Sequence, residues 1–219
     1  LPVDLCDHSG LSASQRVPLW LKLAYTAFMA VLVPLYWAYY GPANFLFLCD
    51  LALFFLLAAI WLESSLLASM ATVGTLAAHA LWLADFVALA LGGQLTGMTA
   101  YMFDAAYPLH LRALSLFHLW LPPLQLYLVW RLGYDPRALW AWTVLAWVTL
   151  LISYLFLPPP SPEPGTAARN INYVYGFSET HPQTVMPSWA WLVMLMVSYP
   201  LLIFAPAHLA LRKFMPQAR

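Results

Sequence analysis

Hydrophobic residues run along this chain in six long stretches that turn residues separate. Each stretch is about 20 residues long, which lets an α-helix cross a hydrocarbon core of about 30 Å. The stretches do not alternate between polar and apolar residues, as the strands of a membrane barrel would. The pattern therefore predicts an all-α, polytopic integral membrane protein, a bundle of six transmembrane helices in one domain. The predicted spans cover residues of about 18–39, 43–61, 64–91, 109–132, 137–157 and 188–211.

The composition agrees with this prediction. The chain is 63% hydrophobic and 8% charged, whereas a soluble domain has roughly 25% charged residues. Its formal net charge is zero and it has no basic face, so we expect no nucleic acid partner. The expected partner is the lipid bilayer.

Basic residues predict the orientation of the bundle. Six spans place both termini on one side, and Lys and Arg favour the cytoplasmic side. Seven of the nine basic residues fall on the side of the termini, which predicts cytoplasmic termini in a bacterial-type inner membrane. The 92–108 and 158–187 loops would then lie outside. The seven residues are Arg16, Lys22, Arg131, Arg137, Arg212, Lys213 and Arg219, and the other two are Arg112 and Arg169.

Ionisable residues of the second, third and fourth spans lie at similar predicted depths. At 1.5 Å per residue, Asp50, His79, Asp85 and His118 lie roughly 10, 18, 9 and 14 Å below the outer face, and Arg112 lies close to it. A charged side chain at the membrane centre costs about 2.5–3.5 kcal/mol or more. These residues are therefore expected to face the bundle interior and to share a polar pocket that opens outward.

The fourth span, "HLRALSLFHLWLPP" at its start, adds two features to this pocket. Ser115 lies one turn from His118, so both side chains share a helix face. Pro122 and Pro123 lack the N–H groups that would bond to the carbonyls of His118 and Leu119. The sequence predicts a kink just below His118 with two free carbonyls.

The candidate residues suggest acid–base or metal-assisted chemistry on a lipid or small apolar substrate. His118 would act as a general base or metal ligand, the aspartates would orient or protonate, and Arg112 would meet an anionic head group. Asn172 lies in a loop that either caps the bundle or moves freely. The candidate catalytic residues are His118, Asp85, Asp50 and Ser115; the candidate substrate-binding residues are Arg112, His79 and Asn172.

The sequence leaves the cofactor open. His118, His79 and Asp85 are the residues that could ligate zinc or copper, and two histidines from different helices could hold haem, but no spacing demands either. The alternative to an enzyme is a non-catalytic subunit of a larger membrane complex that docks partners, pigment or lipid. A small-solute transporter is the third hypothesis, although no internal repeat is visible. Each polar residue also has a purely structural interpretation, as a cap or an interhelical hydrogen bond.

Overall fold

A computed structural model describes residues 16–162, 170–178 and 180–218. These ranges form an all-α bundle in which no β-strand occurs. Short 3₁₀ turns at Pro42–Leu46, Ala100–Met102 and Ile171–Tyr173 and a π-helical segment at Tyr199–Phe204 connect or interrupt the helices. The α-helices are α1 (Leu19–Tyr40), α2 (Leu48–Leu62), α3 (Ser65–Ala90), α4 (Leu109–Ser115), α5 (Phe117–Leu132), α6 (Ala138–Phe156), α7 (Ser188–Ser198) and α8 (Ala205–Phe214).

Five helical stretches of the described chain are long and apolar enough to cross a membrane. The sixth predicted span, α2, is apolar but has only 15 residues, or about 22 Å of helix. The structure thus supports a protein with five to six membrane-spanning helices. The five stretches are Leu19–Tyr40, Ser65–Ala90, Leu109–Leu132, Ala138–Phe156 and Ser188–Phe214.

The second span begins later than the sequence predicts. Gly41 ends α1 with a φ of +79°, a conformation that favours glycine. Pro42 then opens a 3₁₀ turn, and α2 starts only at Leu48. Asp50 is consequently the third residue of its helix rather than a residue two turns inside it.

The fourth span is broken at Leu116, between α4 and α5. Helix α5 continues through Pro122 and Pro123, and the observed break lies on the other side of His118, while the predicted kink below His118 stays a prediction. At the break, the Leu119 amide donates to the Leu116 carbonyl three residues earlier. The Ser115 carbonyl instead lies 2.8 Å from Nδ1 of His118.

The first half of helix α3 lies in the interior of the bundle, where its small residues permit close packing. The helix packs against α2, α5, α6 and α8, and every residue from 68 to 75 is buried. Gly74 shows how close the approach is, since a Cβ atom there would lie 1.8 Å from Nε1 of Trp142. No larger residue fits at this position unless α6 moves.

One end of the bundle, here called the terminal end, brings together both ends of the described chain and the short 63–64 and 133–137 connections. Glu63 accepts hydrogen bonds from the backbone amides of Arg16 and Val17 and from Nζ of Lys22, at 3.1, 3.3 and 2.9 Å. Burial opposes ionisation of Glu63, but these three hydrogen bonds outweigh it and lower the pKa of the carboxyl below its usual range. The residues before α1 are thereby fastened to the α2–α3 junction.

The last helices are fastened at the same end. The Tyr134 amide donates to the Pro216 carbonyl at 2.6 Å, and its hydroxyl lies 2.6 Å from Nδ1 of His208 on α8. Between α7 and α8, the chain takes a π-helical turn over Tyr199–Phe204, where Pro200 lacks an amide hydrogen.

The opposite end, here called the loop end, carries the 92–108 segment and the described parts of the 158–187 loop. Of the nine basic residues, Arg112 lies near the loop end, and six others belong to segments at or near the terminal end. Arg169 and Arg219 lie outside the described residues. The six are Arg16, Lys22, Arg131, Arg137, Arg212 and Lys213.

Candidate functional site

Asp85 holds the 92–108 segment against α3. Its side chain is completely buried. Its Oδ1 accepts from the amides of Thr96 and Gly97, and its Oδ2 accepts from the amide and the hydroxyl of Thr99, at 2.9 and 2.7 Å. Four hydrogen bonds satisfy the carboxylate, which explains why a charge is tolerated at this position.

Arg112 binds the same segment from the other side. Its Nη1 donates to the Met102 carbonyl at 3.1 Å. Its Nε is buried without a hydrogen-bond partner in the described chain. The contact that the structure gives Arg112 is therefore with the protein's own loop, and the predicted contact with an anionic head group stays a prediction.

Asp50 is buried at the start of α2. Its Oδ2 accepts from Nδ2 of Asn44 at 2.7 Å, and its position in the first turn places a carboxylate where the helix dipole favours negative charge. These contacts describe a structural role for Asp50 at the helix terminus.

Asn172 fixes the second loop to the same helix terminus. Its Oδ1 accepts from the amide of Leu48, the first residue of α2, at 3.0 Å, and its Nδ2 donates to the Leu46 carbonyl at 2.8 Å. It has a φ of +57°, which asparagine tolerates better than most residues. The described part of this loop thus caps the bundle, and Asn172 acts as its clamp.

A second buried polar group lies where α1 meets α4. The hydroxyls of Tyr36 and Ser115 share a 2.8 Å hydrogen bond and both side chains are buried. Tyr101 adjoins Ser115 and accepts a 3.3 Å hydrogen bond from Nε1 of Trp82. Burial raises the pKa of Tyr101 to about 12, so its hydroxyl is protonated at neutral pH.

His118 occupies the first turn of α5, directly after the helix break. Because the Ser115 carbonyl can only accept, Nδ1 of His118 donates to it, and the neutral ring keeps its lone pair on Nε2. The ring stacks on Trp82 at a centroid distance of 4.7 Å and on Phe117 at 4.0 Å. The break and the two stacked rings together set the orientation of a half-buried imidazole.

His79 faces His118 from α3, with 5.2 Å between the ring centroids. The His79 residue is only 1% exposed, yet neither ring nitrogen has a hydrogen-bond partner among the described residues. The Gln125 side chain interacts with His79 at a distance longer than a normal hydrogen bond. Its Nε2 donates to Thr75 Oγ1 at 2.7 Å, and its Oε1 makes no hydrogen bond of normal length in this part of the chain. His79 and His118 are called the imidazole pair below.

The structure brings only part of the predicted site together. Ser115 and His118 meet at the helix break, and His79 joins them across α3, but the oxygens of Asp85 are engaged by its loop. Within the described ranges, no group of three His, Cys, Asp or Glu side chains could hold a metal. The zinc or copper set of His118, His79 and Asp85 is therefore not assembled among the described residues.

The two pockets described for this part of the chain differ from the predicted common cavity. One cavity, of about 220 Å³, opens at the loop end, and a groove of about 290 Å³ runs between α1 and α5. Neither is lined by Asp50, Asp85 or His118. The cavity is lined by Gly97, Met98, Ala100, Tyr101, Asp104 and Tyr107, and the groove by Leu21, Ala24, Tyr25, Phe28, Trp120 and Leu124.

Four residues of the site were not singled out by the sequence. Tyr36 and Tyr101 resemble the aromatic residues that collect at membrane interfaces, and Trp82 resembles packing. Gln125 carries no charge and follows two prolines. Neither its predicted depth nor the cost of burying a charge therefore drew attention to it. The geometry is thus an oriented imidazole, a second imidazole without partners and a set of neutral hydroxyls.

No known family, curated protein or solved structure matches the chain.

Proposed function

We propose that this multi-pass membrane protein binds a small, weakly polar molecule beside the imidazole pair, with His118 as the group that accepts its proton. The carrying observation is His79, a buried imidazole whose two ring nitrogens make no hydrogen bond of normal length in the described chain, although the Gln125 side chain lies close enough to interact with the ring. A buried polar group without a partner is uncommon and calls for an explanation such as a ligand. A bound molecule that hydrogen-bonds to His79 would supply one.

His118 has the chemistry that the proposal needs. Its Nε2 carries a lone pair and its ring is held in one orientation by the Ser115 carbonyl and the Trp82 ring. A positioned imidazole is the most common general base in enzymes. The neutral hydroxyls of Tyr101 and Ser115, on the loop-end side of His118, would serve as proton donors or as orienting groups.

The proposal favours acid–base chemistry over metal-assisted chemistry because of the donor set. Two imidazoles supply two nitrogen ligands, whereas catalytic zinc sites use three protein ligands. Asp85, the third residue of the predicted set, already accepts four hydrogen bonds. The substrate would be a small molecule or a lipid that reaches the pair from the hydrocarbon or from the loop end.

The orientation of the bundle is part of the proposal. The terminal end would face the cytoplasm of a bacterial-type inner membrane, because basic residues concentrate in its segments. The cavity at the loop end would then open to the outside.

Comparing the extracts of the purified wild type and two variants tests the proposed binding. His118→Phe keeps a ring that can stack on Trp82 but removes both nitrogens, and His110→Phe makes the same change at an exposed residue of α4. We expect a small molecule to copurify with the wild type and with His110→Phe, and to be depleted about tenfold in His118→Phe. Equal extracts from all three folded proteins would contradict the proposal.

Chemical modification gives a second measurement on the wild type. Diethyl pyrocarbonate reacts with neutral imidazole nitrogens, so Nε2 of His118 should react slowly in native membranes and faster after the bound molecule is removed. The exposed His110 should react equally in both samples. A His118 that reacts at the same rate before and after removal would count against a bound ligand.

The alternative, an accessory subunit of a larger membrane complex, also has an observation in its favour. Phe177 and Val185, both in the 158–187 loop, are 72% and 85% exposed. Exposed apolar side chains on a folded loop are typical of a contact surface when they cluster. Under this hypothesis, Phe177→Ser with Val185→Ser would release a partner subunit in mild detergent, whereas His118→Phe would not.

A further inference from the structure

The cavity at the loop end is separate from the imidazole pair and has its own chemistry. It is formed by the 97–101 and 104–107 turns, and its volume is about 220 Å³. One water takes about 30 Å³ of liquid, so a group of several heavy atoms fits. Pockets for drug-sized molecules start at about 300 Å³. The cavity therefore suits a head group or a small ion rather than a large ligand.

The charge of the cavity favours a cation. Of the six lining residues, Asp104 is the one with an acidic side chain. Its Oδ1 accepts from the amide of Ala106 at 2.8 Å, and Oδ2 accepts no hydrogen bond from the described chain. Asp104 also forms no ion pair with any described residue. Its negative charge is therefore available to a ligand.

The aromatic walls favour a weakly hydrated cation. The rings of Tyr101 and Tyr107 line the cavity with 6.0 Å between their centroids and an interplanar angle of 65°, and Met98 adds a polarisable thioether. Aromatic rings attract alkylammonium groups, and cages of such rings recognise quaternary ammonium. Calcium needs six to eight oxygen ligands, and the described residues offer no cluster of three metal-ligating side chains.

The walls are also held in place before any ligand arrives. Asp85 binds the amides of Thr96, Gly97 and Thr99, which begin the first turn. Arg112 binds the Met102 carbonyl between the two turns. A rigid site loses less conformational entropy on binding, so this loop is suited to recognise a small group.

From the carboxylate, the two rings and the fixed walls, we infer that this cavity binds a small alkylammonium or quaternary ammonium group. The group belongs either to a free cation or to the head group of a lipid in the adjoining leaflet. The site shares Tyr101 with the proposed acid–base function, but Asp104 and Tyr107 have no part in that function, so their variants test this site separately.

Saturation-transfer NMR with tetramethylammonium, on the full chain in a non-ionic detergent, tests the site. The wild type should show saturable binding in the millimolar range, and Asp104→Asn should weaken it about fivefold or more. Tyr107→Ala should weaken it as well, whereas Tyr107→Phe, which keeps the ring, should not. Glu63→Gln removes a carboxylate at the terminal end and serves as the matched control, with binding unchanged.

A phosphatidylcholine bilayer separates the two sources of the cation. In phosphatidylcholine nanodiscs, a head group in the cavity would suppress tetramethylammonium binding relative to the non-ionic detergent, whereas a site for free cations would bind equally in both. Either result upholds the site, provided that Asp104→Asn is weaker in the same medium. No saturable binding by the wild type, or equal binding by a folded Asp104→Asn variant, would overturn it.

Discussion

Two buried polar residues of α3 differ in their hydrogen bonding, and this difference distinguishes a structural residue from a candidate functional one. Asp85 and His79 lie six residues apart and are 0% and 1% exposed. Asp85 accepts four hydrogen bonds from a neighbouring loop, whereas the nitrogens of His79 have no partner among the described residues. Burial of a polar group is therefore a weaker indicator of a site than burial without hydrogen bonds.

Other candidate residues resemble Asp85, because their polar groups have hydrogen-bond partners within the protein. Asp50 is paired with Asn44, and Asn172 caps the terminus of α2. Asp50 and Asp85, which were predicted to lie at similar depths, both stabilise the loop end of the bundle, where segments that leave the helices need partners. A common structural task is therefore sufficient to explain their common depth.

The largest effect should follow removal of the Asp85 carboxylate. Asp85→Ala leaves three amides and one hydroxyl without their acceptor in a buried place, which should lower the free energy of unfolding by about 3 kcal/mol or more. Thr99→Val removes one hydroxyl bond and should cost about 1 kcal/mol. Denaturation of the purified proteins in mixed micelles measures both. An Asp85→Ala protein as stable as the wild type would contradict the structural role of Asp85 on which the comparison with His79 depends.

A smaller effect is expected at the terminal end when the pH falls. The pKa of Glu63 is lowered in the folded state, so its contribution to stability is present above the unfolded pKa of about 4.3 and is lost as the pH falls through the lower, folded value. The melting temperature should therefore decline as the pH drops from about 6 to about 3, and Glu63→Gln should reduce this decline. An unchanged pH profile in the variant would show that Glu63 is not such an anchor.

The smallest effect on stability is expected for His79. His79→Leu removes a buried polar group that has no partner, so the free energy of unfolding should change by less than about 1 kcal/mol in either direction. The same variant should lose the small molecule that copurifies with the wild type. A loss of stability as large as that of Asp85→Ala would place His79 among the structural residues.

Much of the architecture could be predicted from the sequence because hydrophobic length is a strong signal. The helical stretches at 19–40, 65–90 and 138–156 agree with the predicted spans to within a residue or so at each end. The interior position of the first half of α3 followed from its small residues, which allow contacts such as Gly74 against Trp142.

The details that decided the site could not be predicted in the same way. The break at Leu116 has no glycine or proline to mark it, while Pro122 and Pro123 are accommodated within α5. The hydrogen-bond partners of Asp85 come from a loop whose fold depends on Asp85 itself. The sequence therefore could not predict the loop conformation or the partners of Asp85 separately. Tyr36 and Tyr101 became site residues only through their contacts with Ser115.

The π-helical turn between α7 and α8 carries a consequence for sequence design. Such a turn contains one more residue than an α-helical turn, and each residue rotates the following helix by roughly 100°. The extra residue within Tyr199–Phe204 therefore offsets the sequence positions of α8 from those of α7 by one, and His208 faces Tyr134 in this offset register. A helical wheel for 188–214 must accordingly be drawn as two wheels with an angular offset between them.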